Sequence, residues 1–307
     1  MITAVSLALF LLGTCLDVLP GESTTTYFWG DTNRTVTTYY HLYYEAQRID
    51  FLGHTLVRNC AIFPEAPGFA IYLVYATAVE VLLRPRPRLW RCGLYVLATV
   101  TTFSAKAIIL VAAVFALKYI LAPAAGVLAL RLKLLLVPTA LLLVGGVFAV
   151  MMWDKMQTVS FFMRLDDFIA CFKTWLTAPV FGTGSWNDAS VIPHFAYPDR
   201  YNHGLSMGAM VALAQGGVYL TMLYFFPALG CPWRFRGTER RMLSAFVLMI
   251  LALLFTSNIA YNFLTLFLLA VFLEYGRRRR EPTGNDEQNG GRVNETLSAD
   301  GVTDKHL

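Results

Sequence analysis

Apolar runs of roughly twenty residues, separated by short polar and basic breaks, recur along this chain. Runs of that length match the ~30 Å hydrocarbon thickness of a bilayer and read as spanning helices. Residues 2–20 form the first. It lacks a basic leader and a small-residue cleavage site, so it reads as a retained helix and not a removed signal. Residues 67–83, 134–152 and 204–228 form three more. The apolar stretches from Arg91 to Arg131 and from Arg241 to Arg277 are each too long for one span. Each is expected to fold as a pair of helices, with turns near Ser104–Lys106 and Thr256–Asn258. The pattern predicts an all-α, polytopic integral membrane protein with about eight transmembrane helices.

Four basic clusters orient this arrangement: Arg84 to Arg91, Arg131 with Lys133, Arg234 to Arg241, and Arg277 to Arg280. Cytoplasmic loops carry the excess of Lys and Arg, so all four clusters are expected inside, with an even number of spans between successive clusters. A transmembrane domain then covers residues 1–275, with large outer loops at 21–66 and 153–203. The tail, 276–307, is basic at first and then rich in Gly, Asn, Glu and Asp. Too little of it is apolar to offset the entropy of ordering, so it is expected to be a disordered cytoplasmic segment.

Composition agrees with a membrane protein. Of the 307 residues 56% are hydrophobic and only 15% are charged, against roughly 25% charged in soluble domains. Mean hydropathy is +0.52. The net charge of +5 sits in the inter-helix clusters, which carry topology and not a nucleic-acid footprint. The five cysteines show no CxxC spacing and no neighbouring histidines, so no metal site follows. Cys60 and Cys171 fall on the same outer side, which permits a disulfide; the plainer reading is small apolar side chains. No phosphate-cradling glycine loop, acidic triplet or histidine cluster is present, and neither a metal nor a cofactor is expected.

Polar groups concentrate in the two outer loops, where chemistry against a rigid scaffold is expected. The first loop is rich in aromatics, from Tyr27 to Tyr44. Such rings belong to the interfacial belt and also stack on sugar faces. In the second loop Phe161, Phe162, Leu165, Phe168, Ile169, Phe172, Trp175 and Leu176 recur at helical spacing, with Arg164, Asp167 and Lys173 among them. That pattern predicts an amphipathic helix lying on the membrane surface with its apolar stripe down. Pro179, Gly182 and Gly184 end it in a turn. His194, Tyr197, Asp199, Arg200, Asn202 and His203 follow, a set suited to acid–base chemistry on a charged lipid head. Each has a plainer reading: Arg164 as a headgroup anchor, His203 as a residue at a helix start, the glycines as turn residues.

Four stretches in order resemble the bacterial O-antigen ligase and polysaccharide polymerase superfamily. Arg58 followed by Phe63, Pro64, Glu65, Gly68 and Phe69 is similar to the family's R-x-x-G-x-F-x-E-P-x-x-F helix start, with Ala61 where Gly is common. Thr101 to Lys106 resembles its T-x-S-R/K hairpin, shifted by one residue. Arg164 with Pro179, Gly182 and Gly184 resembles R-x(n)-P-L-x-G-x-G. Asn202–His203 with Gly216, Gly217 and Tyr219 resembles the closing H-N-x(n)-G-x-x-G, with His and Asn inverted. The resemblance covers roughly residues 55–275, and several N-terminal helices usual in the superfamily have no counterpart.

The resemblance implies a donor glycan on a polyprenyl pyrophosphate, attacked at its anomeric carbon by an acceptor hydroxyl. It implies catalytic His203, Arg164 and Glu65, and substrate-binding Arg58, Arg200, Asn202, Asp199 and Lys106. Arginines would hold the pyrophosphate, and His203 would take the hydroxyl proton, with Glu65 or Asp199 as alternatives. Expected partners are the lipid-linked oligosaccharide, the bilayer and other polysaccharide-assembly membrane proteins. The expected location is the bacterial inner membrane, with the active site on the extracytoplasmic side. Polymerase is preferred over ligase. A lipid-linked sugar transporter and a non-catalytic assembly subunit are the rivals from other classes.

Overall fold

Helices built from the apolar runs dominate the computed structural model, which describes residues 1–28, 32–51, 54–123, 126–127, 131, 135, 159–197 and 204–278. Helix α1 (Ile2–Leu9) continues in wider π turns to Cys15. Helix α2 (Ala66–Ala78) does the same over Val79–Leu83. Then come α3 (Leu89–Thr101), α4 (Ala105–Leu121), α5 (Val159–Thr177), α6 (Gly208–Gly230), α7 (Gly237–Thr256) and α8 (Phe263–Arg278). Among the described residues, Ala66–Leu83 and Gly208–Arg234 are long and apolar enough to cross a membrane. Helix α3 has 13 residues and α4 has 17, short of the ~20 that span a bilayer unaided. Apart from Leu135, the expected span 134–152 lies outside the described residues, as does most of the tail.

The chain is mostly helical, as expected, and residues 22–57 add short strands that the expectation did not include. Strands β1 (Glu22–Phe28), β2 (Thr32–Tyr39) and β3 (Tyr43–Tyr44) form one antiparallel sheet, with Glu22 opposite Thr38 and Thr38 opposite Tyr44. Strands β4 (Arg48–Phe51) and β5 (His54–Val57) form a second. The cause is local: Thr24, Thr25, Thr26, Thr35, Val36, Thr37 and Thr38 are β-branched, and their stiff side chains favour extended backbone. Tyr43 is fully buried between Phe10 of α1 and Tyr39, with ring centroids 6.1 and 5.9 Å away. The Thr14 hydroxyl donates to Glu45 Oε1 at 2.8 Å. These contacts seat the first sheet on α1.

The helical core gathers Val74, Leu82, Val114, Phe246 and Leu253, from α2, α4 and α7. Tyr75 and Thr265 share a hydroxyl hydrogen bond of 3.2 Å that joins α2 to α8. The chain alternates direction through α2, α3 and α4 and through α6, α7 and α8. The arginine-rich turns after α2 and after α6 therefore lie at one end of the bundle. There the buried Glu80 carboxylate accepts the Arg88 backbone N–H at 3.0 Å and pairs with Arg84 and Arg91 at 3.3 and 3.4 Å.

Helix α6 breaks at Gly217, whose φ of 62° and ψ of −165° suit only glycine. Residues 179–184 fill the break with main chain. Val218 N–H donates to Pro179 O at 2.9 Å and Tyr219 N–H to Val180 O at 3.0 Å. In return Thr183 and Gly184 N–H donate to Ala214 O and Gln215 O at 3.1 and 2.9 Å. A Cβ on Gly217 would stand 2.3 Å from Val180 O, and one on Gly182 the same distance from the Gln215 carbonyl carbon. The tandem-glycine signature of the sequence is thus a main-chain splice.

Helix α5 is amphipathic as expected, and its polar face points inward. Asp166, Asp167, Ala170, Cys171 and Thr174 are buried against the protein, while Phe162, Leu165, Phe168, Ile169, Phe172 and Leu176 are exposed. Cys60 and Cys171 are both buried free thiols, so the disulfide that their shared side permits is not formed.

Candidate functional site

Helix α7 ends at Thr256, and the last carbonyls of a helix have no partner within it. Lys106, in the first turn of α4, fills that role by donating its ammonium to Thr256 O at 3.2 Å and to the Ser257 hydroxyl. Arg164 of α5 donates Nη1 to the same Thr256 oxygen at 3.4 Å. The Ser257 carbonyl accepts the N–H of Gly208, the first residue of α6, at 2.9 Å. One helix end thus collects α4, α5 and α6. Cations belong at the negative pole of a helix, where each gains about 0.3–1 kcal/mol. These contacts consume part of each cation's donor capacity, and Arg164 remains exposed.

Arg58 and Asn59 are fixed to the turn that leads into α4. Arg58 Nε donates to Thr102 O at 2.8 Å and Nη1 to Gln47 Oε1 at 3.2 Å. The Asn59 N–H donates to Thr101 O at 2.9 Å, and Asn59 Oδ1 accepts the Ser6 hydroxyl at 2.6 Å. Gln47 Oε1 also accepts the Ala66 N–H at 3.1 Å. Arg58 is thereby linked to the start of α2, directly after the half-buried Glu65. Burial pushes the Arg58 guanidinium below its usual pKa, opposed by Cys60 and Glu65 nearby.

Of the sequence-derived candidates, Lys106 and Arg164 meet on one atom, and Arg58 sits on the turn before Lys106. All lie at the end opposite the arginine-rich turns. Asp199, Arg200, Asn202 and His203 lie outside the described residues. Their flanks do not. Asp166 Oδ1 accepts the Ala196 N–H at 2.8 Å, and Asp167 Oδ2 accepts the Ser206 N–H and hydroxyl at 3.0 and 2.6 Å. Consecutive carboxylates of α5 thus hold Ala196 and Ser206.

Sequence reasoning placed turns at Thr102 and at Thr256–Ser257 but missed them and Gln47 as acceptors, because three act through backbone carbonyls and the fourth through one side-chain amide. It also missed Gln215, which accepts the Trp186 N–H at 2.9 Å and donates to Asp188 Oδ1 at 2.6 Å. Trp186 in turn stacks on Tyr261 at 4.8 Å. A polar residue directly before the tandem glycines Gly216 and Gly217 was the readable signal for that bracket. Among the described residues no three His, Cys, Asp or Glu side chains gather as a metal-binding group. No protein-family model, curated protein or solved structure matches the chain.

Proposed function

We propose that this chain is a membrane glycosyltransferase that joins polyprenyl-pyrophosphate-linked oligosaccharides into a surface polysaccharide. The observation that carries the reading is the convergence of Arg164 and Lys106 on Thr256 O, with Arg58 on the adjoining turn. In the reaction an acceptor hydroxyl bonds to the donor's anomeric carbon, and the bond from that carbon to the pyrophosphate oxygen breaks. The bonding electrons leave with the pyrophosphate, and the hydroxyl proton passes to a base, the role assigned to His203. Fixed guanidinium and ammonium groups stabilise the charge that grows on the leaving group. The exposed apolar stripe of α5, with Phe226 at 73% exposure on α6, supports a bilayer around the bundle. About eight spans in an inner membrane, with this site outside, complete the proposal.

A lipid-linked sugar transporter is the second reading, and the broken α6 favours it, since transporters bind substrates at interrupted helices. Against it, the groups freed at Gly217 are bonded to residues 179–184. Glycan analysis decides the matter. In a host lacking the gene, single repeats should accumulate on the lipid carrier, and wild type but not Arg164→Ala should restore long chains. Long polymer retained on its carrier would indicate a ligase, and unchanged glycans in the deletion would overturn the enzymatic reading.

A further inference from the structure

At the end of the bundle remote from Thr256, a groove of about 570 Å³ runs between the last turns of α4 and the first turns of α7. Its character changes along its length. Gly237, Arg240, Arg241, Ser244, Ala245 and Leu248 of α7 line it on one side, and Leu117 and Leu121 of α4 on the other. Arg241, Ala245 and Leu248 follow one another on a single face of α7, at helical spacings of four and three. Over about 10 Å that face passes from guanidinium to methyl to isobutyl. Arg240 is held in place with its guanidinium 4.4 Å from the ring centroid of Trp233. Trp233 is itself exposed, as indoles are at the headgroup level of a bilayer. Among the described residues neither Arg240 nor Arg241 is in an ion pair with a carboxylate. Arg234 and Arg236 add positive charge nearby, and Glu239 is the acid of the first turn of α7.

A charged mouth of this sign and an apolar wall oriented along the helix match one kind of molecule in both halves. We propose that this groove is a binding site for an anionic phospholipid, with its phosphate on Arg240 and Arg241 and an acyl chain along Leu117, Leu121 and Leu248. A phosphodiester accepts the planar forks of two arginines, and the first N–H groups of α7 at Gly237 face the same anion. Basic pockets between helices on the cytoplasmic side take anionic headgroups by this combination. The site rests on the membrane reading of the chain and is independent of the sugar chemistry at the other end.

The test uses the full-length chain in nanodiscs of equal parts phosphatidylglycerol and phosphatidylcholine, released for native mass spectrometry. Wild type should retain phosphatidylglycerol preferentially. Arg240→Gln with Arg241→Gln should lower the ratio of the two lipids about thirtyfold, the scale of two lost contacts to anionic lipid. Leu248→Trp, which fills the groove and spares both arginines, should lower it as well. Arg86→Gln with Arg88→Gln, exposed arginines at the same end but outside the groove, should leave it unchanged. Equal retention of both lipids by wild type, or equal loss in the two double variants, would overturn the site. Recovery of the chain as a lipid-free soluble protein would instead sink the membrane reading.

Discussion

Arg164 and Lys106, drawn from α5 and α4, donate to a single oxygen atom, the carbonyl of Thr256. The shared acceptor places a guanidinium and an ammonium side by side. Two cations tolerate that spacing because the helix terminus is negative. A pyrophosphate bound as proposed would meet the Arg164 guanidinium beside its bond to Thr256 O.

Removing Arg164 therefore separates chemistry from scaffolding. Arg164→Ala is expected to cut polymer formation by about a hundredfold, the scale of losing one fixed donor to a developing anion. Detergent-solubilised protein should remain monodisperse, because Arg164 is exposed. Arg164→Lys should fail as badly, since an ammonium offers a point charge in place of a fork. Chain-length analysis of polymer from complemented cells measures both. Full activity in Arg164→Lys would show that the planar fork is not used.

Lys106 is half-buried and caps α7, so its loss should reach the fold as well. Lys106→Ala is expected to cost about 1 kcal/mol of stability in addition to activity. Lys106→Arg should recover the stability. Thermal unfolding in detergent, followed by intrinsic fluorescence, distinguishes the two variants; identical melting for Lys106→Ala and wild type would remove the capping role.

The splice at Gly217 makes a sharper structural prediction. Gly217→Ala and Gly182→Ala combine left-handed φ values with Cβ contacts of 2.3 Å to backbone atoms that cannot move aside. Each should abolish the monodisperse peak in size-exclusion chromatography. Gly93→Ala on α3 meets nothing within 4 Å and should be neutral or stabilise the helix by about 0.5–1 kcal/mol.

Thiol chemistry tests the segment before α2. Burial pushes the Cys60 thiol up to about 11, and only the thiolate reacts. A raised pKa keeps the thiolate fraction small until the pH approaches that value, so raising the pH from 7 to 9 should leave Cys60 unlabelled by maleimide. The exposed Cys15 should label in the folded chain. Once the chain is denatured without reductant, all five free cysteines should label. A missing pair in the mass spectrum would contradict the free thiols.

The outward stripe of α5 predicts its own surroundings. Spin labels at Phe168→Cys and Phe172→Cys, in a Cys15→Ser background, should be relaxed by oxygen and shielded from a water-soluble nickel complex. The reverse pattern at both sites would place α5 in water and withdraw it from the membrane surface.

Features written in side-chain periodicity were legible in the sequence, and those written in main chain were not. The breaks between α3 and α4 and between α7 and α8 follow from the polar residues at Ser104 and Ser257. The apolar stripe of α5 follows from its spacing. The sheets over residues 22–57 were hidden because the aromatic rings drew attention to an interfacial belt, while the threonines that set the backbone looked merely polar. The partners of Asp166 and Asp167 were invisible for another reason. Ala196 contributes only a backbone N–H, and no residue identity announces that donation. The meeting of Lys106 with Arg164 hinges on a carbonyl, which every residue possesses.

The seam between residues 179–184 and the interrupted α6 is joined chiefly by four peptide-group bonds, and glycine takes a left-handed φ at 182, 184 and 217. The side chains of Val180, Phe181, Val218 and Tyr219 take no part in those four bonds, whereas Thr183 adds its hydroxyl to Ala214 O at 3.4 Å. Those four side chains can change identity without breaking the main-chain bonds. A joint of this construction lets a lineage alter what it presents to a ligand while leaving its architecture untouched.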